Sequence, residues 1–583
     1  MRVLLLHPED SPRRGLWSEQ RWDLIVDLGR SSTFSAAQWA EQARCPLLRA
    51  DSFRRGVDDL KRVREMFSAG RGRLLDEEGI DWWDVPSVLV VFEAEAVLVL
   101  QRLALEIGPA AEVWATRPDW PVGLMSILLG RSLRTFSRGF VQRRFGWARR
   151  YANLFCRFSS AQIKEIFLDK YDSGYTWRSH FARRLPPLVR PHILLPSAYT
   201  NVSRMALAYA RTLPDQAFVL VTTRQSGRQC ELPSNVIVRD LAAYVNRDQP
   251  SSEAASILAK WERLKTEWSA GQELEVLLQA GVFNSFPRWV HDGLRARNAW
   301  REVLEREPVS AVLCGDDSNL YTRLPVMLAT RRKIPTVDFH HGAMDGRYLL
   351  KDFPCDVYLA KNEMERDYLT RVCALPAQRI AIGAPSQDAS TGAAGHQAPQ
   401  KTSTIFFSEP YENVGMRTEE VYGEVLPALC RLARENGRDV MIKLHPFESR
   451  SQRTRLVRSL LQVEDYKLVT ILDGPLSKRL LSQAWCGLTV ASTTVLDCLM
   501  EHVPCFLLGW LSLSPFGFVQ QYTRFGVGDL LGSVGEIAEI PQRIAKFHDS
   551  VRNPQALWRQ AEPDQLRQWL GAATPAAGAR RVS

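Results

Sequence analysis

Two short polar stretches in the second half of the chain contain residue types that can bind a phosphate. Lys443-Leu444-His445-Pro446-Phe447 ends an apolar run at residues 440–444 that predicts a buried strand, so an imidazole stands at the carboxyl end of that strand. Open α/β sheets bind their ligands at this edge. A second predicted strand, at residues 486–490, leads into Ser492-Thr493-Thr494 and an apolar helical run. Hydroxyls and free N–H groups at the start of a helix form an anion site, so the two stretches together predict one phosphate pocket.

Each of these stretches also has an ordinary structural explanation. A proline after a histidine can simply stop a strand, and Ser-Thr-Thr before a helix is a common cap. Because the stretches follow two predicted strand and helix units of the same half of the chain, their joint occurrence favours a shared pocket. Ser408 and Glu409, which follow a predicted strand at residues 404–407, are grouped with the same pocket.

Polar residues also follow two predicted strands of the first half. Residues 311–314 lead into Gly315-Asp316-Asp317, and residues 336–339 lead into His340-His341-Gly342. A carboxylate held in a cleft can act as a general base, although adjacent acids after a strand are also common turn residues. The two histidines can be a base, a ligand pair or part of an ordinary loop. Without a third ligand at suitable spacing, the sequence predicts no metal site.

Composition narrows the class of protein. A chain of 583 residues is long enough for two or more cores, and its 45% hydrophobic and 24% charged residues are typical of globular proteins. The ten cysteines include no C-x-x-C pair, which favours a reducing cytoplasm and predicts neither a zinc site nor a redox dithiol. The apolar opening is too short for a signal peptide, and no stretch reaches the ~20 apolar residues of a membrane span.

The net charge of +10 is concentrated in residues 131–150. This segment contains aromatic residues, no acid and seven arginines: Arg131, Arg134, Arg138, Arg143, Arg144, Arg149 and Arg150. The pattern is typical of a solvated basic face, and it also suits an interfacial helix on an anionic membrane or a contact with an acidic polymer. No nucleic-acid-binding motif accompanies it, so we predict no nucleic-acid partner.

Apolar strand-like runs alternate with helical periods along most of the chain, which predicts an α/β fold with parallel sheets. We predict an N-terminal domain at residues 1–385 with helical inserts at about 58–150 and 252–307, and a linker at residues 386–402. A C-terminal domain at residues 403–570 and a disordered tail at residues 571–583 follow. Both domains are expected to be doubly wound and Rossmann-like, and to face each other across a cleft. No internal repeat is evident.

The order of these features resembles that of a known family. An acidic turn, a His-Pro dipeptide and a Ser/Thr cluster on a two-domain α/β chain resemble the motif set of bacterial GT-B glycosyltransferases that use CMP-activated sugars, such as sialyl-, polysialyl- and Kdo-transferases. A further set of segments is similar to CDP-glycerol glycerophosphotransferases and capsule-polysaccharide transferases: His341-Gly342, Asp356-Val357-Tyr358-Leu359-Ala360, Asn362-Glu363 and Gly383-Ala384-Pro385. The resemblance covers residues 311–508.

The resemblance implies a metal-independent glycosyltransferase without a cofactor. Asp316 or Asp317 would deprotonate the acceptor hydroxyl, and His445 would bind or protonate the donor phosphate. The donor site would comprise Lys443, His445, Pro446, Ser492, Thr493, Thr494, Ser408 and Glu409. The partners would be a nucleotide sugar, with CMP favoured as the nucleotide, and a glycan or lipid-linked acceptor in surface polysaccharide synthesis. Asp-Asp-Ser and Ser-Thr-Thr depart from the sialyltransferase pattern, which leaves the donor sugar open.

Three alternatives to this interpretation remain. The first is a CDP-polyol phosphotransferase with His341 as base, and the second is a UDP-sugar 2-epimerase, which needs no acceptor. The third is a noncatalytic polyanion-binding protein that uses the basic stretch alone. We expect a cytoplasmic protein with a peripheral contact at the inner membrane face through residues 131–150.

Overall fold

The structure is a computed structural model of the chain. It describes all residues except 8–9, 11–15, 29–38, 88–89, 110, 118–119, 137–159, 173, 229, 247–251, 269–271, 316–318, 341, 343–354, 386–401, 412–415, 446–447, 475, 512–517, 549–557 and 572–583. Three groups of residues singled out from the sequence lie outside the described ranges: the catalytic candidates Asp316, Asp317 and His341, the proline Pro446, and most of the linker, tail and basic stretch.

The first part of the chain forms a five-stranded parallel sheet in the order β3-β2-β1-β4-β5. Its strands are β1 (Arg2–Leu6), β2 (Leu24–Asp27), β3 (Leu47–Arg49), β4 (Glu112–Ala115) and β5 (Arg134–Thr135). The helices of this part are α1 (Val57–Ser68), α2 (Asp84–Ser87), α3 (Val91–Ile107) and α4 (Trp120–Leu128).

The middle of the chain forms a seven-stranded parallel sheet in the order β12-β11-β10-β9-β6-β7-β8. Its strands are β6 (His192–Ser197), β7 (Phe218–Thr222), β8 (Val236–Asp240), β9 (Val309–Cys314), β10 (Thr336–Phe339), β11 (Val357–Ala360) and β12 (Ile380–Ile382). The helices are α5 (Ser160–Tyr171), α6 (Arg178–Phe181), α7 (Thr200–Thr212), α8 (Ser252–Trp268), α9 (Gln272–Gln279), α10 (Phe286–Arg306), α11 (Leu320–Arg331) and α12 (Glu363–Arg371).

The last part of the chain forms a six-stranded parallel sheet in the order β15-β14-β13-β16-β17-β18. Its strands are β13 (Ser403–Phe407), β14 (Asp439–Lys443), β15 (Val469–Leu472), β16 (Ala484–Thr489), β17 (Cys505–Leu508) and β18 (Asp529–Leu531). The helices are α13 (Thr418–Glu435), α14 (Arg450–Leu460), α15 (Val463–Tyr466), α16 (Lys478–Ser482), α17 (Thr494–Met500), α18 (Phe518–Arg524), α19 (Ile540–His548) and α20 (Pro563–Trp569).

All three sheets share one winding order. Counted within its own sheet, each has its strands in the order 3-2-1-4-5, and the two larger sheets continue to 6 or beyond. The direction of winding therefore reverses between β1 and β4, between β6 and β9, and between β13 and β16. A ligand of such a sheet binds outside the carboxyl ends of the strands at this reversal. The predicted α/β class with doubly wound parallel sheets is confirmed.

The described residues form two compact units. One compact unit contains residues 1–59, 95–163 and 393–557, and the other contains residues 60–94, 164–392 and 558–583. The first strands of the chain pair with one another and not with the seven-stranded sheet, because the region predicted as a helical insert supplies β4 and β5. The segment before the tail also leaves the third sheet, since Gln560 pairs with Ala384 and Leu566 packs in the core of the second sheet.

The start of the basic stretch is a strand and not an interfacial helix. Arg134 lies in β5, where its guanidinium contacts Glu112 at 2.8 Å and lies 5.2 Å from the centre of the Trp114 ring. Phe136 is buried in an aromatic cluster with Trp17 and Trp114. At residues 134–136 the arginine and the aromatic residue therefore serve a sheet edge and a core, while residues 137–150 lie outside the described ranges and the membrane contact stays a prediction. In the described part of the chain, no helix is long and apolar enough to cross a membrane.

Arg417, the residue before α13, joins the first sheet to the third within their common unit. Its guanidinium donates to the carbonyl of His7 at 3.0 Å and to Glu420 at 3.0 Å, and it lies 4.0 Å from the buried carboxylate of Asp27. His7 follows β1 and Asp27 ends β2, so the contact is made at the carboxyl edge of the first sheet.

We predict that Arg417→Met lowers the free energy of unfolding of this unit by ~1.5–3 kcal/mol, the usual range for a hydrogen bond from a charged group. Urea denaturation measures the loss, with Arg431→Met on the exposed face of the same helix as the matched control. Equal midpoints for the two variants would contradict a stabilising role for the contact.

Candidate functional site

The candidate site lies at the reversal point of the third sheet. Ser408 and Glu409 directly follow β13, which stands between β14 and β16. The loop after β14 contains His445, and the loop after β16 contains Ser492 and its neighbours. Because the strands are parallel, their carboxyl ends meet at the same edge, as the sequence predicts.

Ser408 is tied to the His445 loop through Glu448. The Ser408 hydroxyl donates to Glu448 Oε1 at 2.7 Å, and Glu448 Oε2 accepts the backbone N–H of His445 at 2.8 Å. Arg453 donates to the same Glu448 Oε1 at 2.8 Å, and the hydroxyl of buried Tyr422 donates to Ser408 Oγ at 2.7 Å. Burial raises the pKa of the Glu448 carboxyl, and the Arg453 charge opposes that rise. This network fixes the backbone of His445 relative to β13.

Glu409 is tied in the same way to the loop after β16. Its Oε1 accepts the Thr489 hydroxyl at 2.8 Å, the Val490 N–H at 3.0 Å and the Ala491 N–H at 2.9 Å. Burial raises the pKa of the Glu409 carboxyl, although these donors act in the opposite direction. A carboxylate of the protein therefore engages the N–H groups that directly precede the Ser/Thr cluster. Glu409 organises this loop.

His445 is partly buried, and its imidazole favours the neutral form. Burial lowers the pKa of His445, and the neighbouring Lys443 ammonium lowers it further. A neutral imidazole has one N–H donor and one acceptor nitrogen. It can donate a hydrogen bond to a phosphate oxygen, and it acquires a positive charge only when an anion nearby raises its pKa.

Lys443 has a structural role in this conformation. Its ammonium donates to the carbonyl of Leu444 at 2.9 Å and to the carbonyl of Gly474 at 2.6 Å, and burial lowers the pKa of its side chain. These bonds hold the loop after β15 against the end of β14. These bonds use two of the three N–H donors of the ammonium, so a contact of Lys443 with a phosphate would rely on the third.

The Ser/Thr cluster lies where the sequence placed it, at the start of α17. Ser492 Oγ accepts the Thr494 N–H at 3.3 Å, and Thr493 precedes the helix with no side-chain cap. The helix has only seven residues, so its dipole is small and the anion-binding capacity rests mainly on hydroxyls and local N–H groups. The side-chain oxygen of Thr494 is buried and has no hydrogen-bond partner among the described residues.

Four residues that sequence reasoning missed complete the site: Tyr422, Glu448, Arg453 and Thr489. Glu448 had a detectable signal, because it stands three residues after His445, at the distance of a reverse turn. The Glu448 N–H indeed donates to the His445 carbonyl at 2.9 Å. Tyr422 had no such signal, since α13 brings it to Ser408 across a separation of 14 residues, whereas Arg453 lies only five residues after Glu448, in α14.

The first sheet repeats the turn that contains His445. His7 follows β1 as His445 follows β14, and the Asp10 N–H donates to the His7 carbonyl at 2.9 Å. Buried Asp10 pairs with Arg117, as Glu448 pairs with Arg453. Both segments have the sequence Leu-His-Pro-x-acid, at residues 6–10 and 444–448, a repetition that was not predicted from the sequence. The turn is therefore a structural device, and any chemical role of His445 depends on its surroundings.

At and beside the reversal point of the second sheet, the described contacts involve Gly315, Asn319 and Lys361. Gly315 directly follows β9 and lies against the Phe339 ring. A Cβ atom at this position would lie 2.7 Å from that ring. Asn319 donates to the Tyr199 hydroxyl at 3.2 Å, and the Lys361 ammonium donates to the carbonyl of buried His340 at 3.0 Å. Among the residues that the structure describes, no group of three or more His, Cys, Asp and Glu side chains could hold a metal ion.

A scan against protein-family models finds no match, and a search of curated proteins finds none. Solved structures to which the chain shows similarity include UDP-GlcNAc 2-epimerase from Neisseria meningitidis, bound to UDP-GlcNAc, with a TM-score of 0.40, 13% identity, and coverage of 65% of this chain and 99% of that chain. The calicheamicin glycosyltransferase has a TM-score of 0.41 at 14% identity, over 66% of this chain and 100% of its own. UDP-GlcNAc 2-epimerase from Methanocaldococcus jannaschii has a TM-score of 0.42 at 11% identity, over 66% and 99% of the two chains.

We predict that Glu409→Ala destabilises the third-sheet domain by at least ~2 kcal/mol, because the Thr489 hydroxyl and two backbone N–H groups lose their acceptor. Glu409→Gln should cost less, since its amide oxygen can accept the same donors. Urea denaturation gives the free energies, and Glu419→Ala at an exposed position of α13 is the control. Hydrogen exchange of the Val490 and Ala491 amides should accelerate in Glu409→Ala only; unchanged exchange would disprove the assigned role.

Proposed function

We propose that the protein is a glycosyltransferase that transfers a sugar from a nucleotide-activated donor, with CMP favoured as the nucleotide, to a glycan or lipid-linked acceptor. The observation that carries the proposal is the bridge made by Ser408 and Glu409. These neighbours at the end of β13 hold the His445 loop on one side and the loop before Ser492 on the other. Both loops are thereby fixed around the reversal point of the sheet, where doubly wound folds bind nucleotides.

The donor phosphate would lie between His445 and the hydroxyls of Ser492 and Thr493. When the bond between the sugar and the phosphate breaks, negative charge grows on the phosphate oxygens. Donors already fixed in place stabilise that charge without reorganising. His445 can supply an N–H bond at first and a proton as the nucleotide leaves, because the growing charge raises the pKa of its imidazole. Glu409 and Glu448 position the loops and need not touch the donor.

Asp316 or Asp317 would be the base that accepts the proton of the acceptor hydroxyl. This assignment rests on the sequence alone, because both residues lie outside the described ranges. The reaction needs no divalent cation, since the phosphate charge is met by imidazole, hydroxyls and N–H groups. A CDP-polyol phosphotransferase with His341 as base is the second candidate, and a UDP-sugar 2-epimerase would use the same donor site without an acceptor.

We predict that His445→Gln lowers the rate of transfer by ~10²-fold or more, as expected when one fixed donor to developing charge is lost. A thermal-shift screen of the wild type with CMP, CDP, UDP and GDP first identifies the nucleotide that binds, since a ligand of the native state raises Tm. The transfer assay is run in EDTA with the nucleotide sugar so identified. Wild-type turnover by a folded His445→Gln protein, or no Tm rise with any nucleotide, would refute the donor site.

The affinity for the nucleotide should also depend on pH through His445. Burial holds the pKa of the free imidazole below its usual value of 6.5, and a bound phosphate would raise it. Binding therefore takes up a proton, so the affinity rises as pH falls through the pKa of the complex and levels off below the pKa of the free protein. Calorimetric titration of the wild type and His445→Gln with the same nucleotide separates this effect from the titration of the phosphate itself. Parallel pH profiles would contradict it.

The base is identified by three variants: Asp316→Asn, Asp317→Asn and His341→Ala. In a glycosyltransferase, one of the Asp variants should lose most of the transfer rate and keep nucleotide affinity, because the base meets the acceptor and not the donor. Loss of activity in His341→Ala with mild effects of both Asp variants would favour the polyol-phosphate transferase. Conversion of a free UDP-sugar without acceptor would favour the epimerase.

A further inference from the structure

A basic pocket lies at the carboxyl ends of β7 and β8 in the seven-stranded sheet, beside α5 and α6. Its volume is about 680 Å³, within the ~300–1,000 Å³ of small-ligand pockets. Among the described residues that line it, Asp240 at the end of β8 is the one acid. The described lining also contains six basic residues: Lys164, Arg178, Arg183, Arg224, Arg228 and Arg239. No sequence pattern predicted this pocket, since its basic residues are spread over more than 70 positions.

Only part of this positive charge is neutralised by described acidic side chains. Arg178 pairs with Asp172 at 3.3 Å, and Arg228 pairs with Asp240 at 2.6 Å. Lys164, Arg183 and Arg239 make no salt bridge within the described ranges of the chain. The Nε atom of Arg239 is buried and has no hydrogen-bond acceptor among the described residues, although its Nη2 donates to the Pro186 carbonyl at 3.2 Å. A concave surface on which one sign of charge predominates attracts ligands of the opposite sign.

Two exposed aromatic rings stand beside the basic side chains of the pocket. Trp177 is 52% exposed and Phe181 is 74% exposed, both line the pocket, and their ring centres lie 5.4 Å apart in an edge-to-face arrangement. Large aromatic side chains left in water beside a pocket mark a surface that a ligand covers. The ligand therefore has two properties, several negative charges and an apolar face that packs on an aromatic ring. A sugar ring has such a face in its C–H groups, and acidic sugars add the charges.

We propose that this pocket binds a segment of an oligosaccharide that carries carboxylate or phosphate groups. Arginine suits this role because its planar guanidinium makes paired hydrogen bonds to both kinds of group. Single-stranded nucleic acid also combines negative charge with stacking, but it needs an extended groove, whereas this site is a bounded pocket. In the glycosyltransferase proposed above, the segment belongs to the acceptor, and this last assignment alone rests on the proposed function.

Isothermal titration of the full chain, at one fixed salt concentration and without nucleotide, tests the proposal. The probes are tetragalacturonate, which carries four carboxylates, neutral maltotetraose, inorganic phosphate and a tetranucleotide of thymidine. Tetragalacturonate should bind at least tenfold more tightly than maltotetraose and than the tetranucleotide. Equal affinity for the neutral sugar, or tighter binding of the tetranucleotide, would overturn the proposal. Binding of CMP is measured separately, so failure here leaves the donor site untouched.

Charge-matched variants locate the binding. Lys164→Gln/Arg183→Gln alters two exposed side chains of the pocket and should weaken tetragalacturonate binding at least tenfold. Arg204→Gln/Arg263→Gln removes the same charge from exposed positions of α7 and α8 outside the pocket, and should change the affinity by less than twofold. An equal loss in the two double variants would show that general surface charge is responsible and would overturn the assignment to this pocket.

A third variant tests the aromatic contact. Trp177→Leu should weaken tetragalacturonate binding several-fold and leave the affinity for inorganic phosphate unchanged, because phosphate has no ring to pack on the indole. Because the Trp177 side chain is exposed, its replacement should not unfold the protein. The Tm of each variant is measured to check that it is folded. Unchanged tetragalacturonate binding in Trp177→Leu would contradict the proposed packing of a sugar ring on the indole.

Discussion

Two adjacent side chains at the end of one central strand hold the candidate site together. Ser408 and Glu409 leave β13 in opposite directions, as neighbours on a strand do, and each reaches the loop of a different adjacent strand. This is possible only at the reversal point of a doubly wound sheet, where the first strand has a later strand on each side. The His445 loop and the Ser492 loop are positioned by this pair, through Glu448 and through the donors at residues 489–491.

The electrostatics of this edge follow from burial. Two acidic residues, Glu409 and Glu448, have raised pKa values, while His445 and Lys443 have lowered ones, so each group is shifted towards its neutral form. In the proposed function, the donor phosphate would be held by hydroxyls, N–H groups and an imidazole that can gain a proton. Charge that appears only when a ligand is present costs less stability in the empty protein than a permanent buried cation.

The basic pocket of the second sheet has a different electrostatic character. Three of its described basic side chains, Lys164, Arg183 and Arg228, are exposed to water, and two exposed aromatic rings stand beside them. Solvated cations cost little in stability and act over distances set by salt screening. A site with neutral donors suits a small group bound in one orientation. A pocket lined with solvated arginines suits a charged polymer that binds in several registers.

The sequence by itself determined the strands and the edge at which the chemistry would lie. Continuous apolar runs predicted most strands of the two larger sheets, because strands buried on both faces must be apolar throughout. The placement of His445, Ser492 and Glu409 at strand ends followed from the same runs. Short or half-exposed strands such as β3 (Leu47–Arg49) and β5 (Arg134–Thr135) were missed, since they lack that signal.

Only the tertiary structure decided which polar groups meet. The role of Glu409 as an acceptor for the β16 loop, the inward turn of Lys443 and the arrival of Tyr422 depend on contacts between residues 14 to 80 positions apart in the chain. The division into units also depended on it, because β4 pairs with β1 over a separation of about 110 residues. Local patterns record whether a residue is buried, but hydrogen bonds between loops are set by strand order, which one sequence does not encode locally.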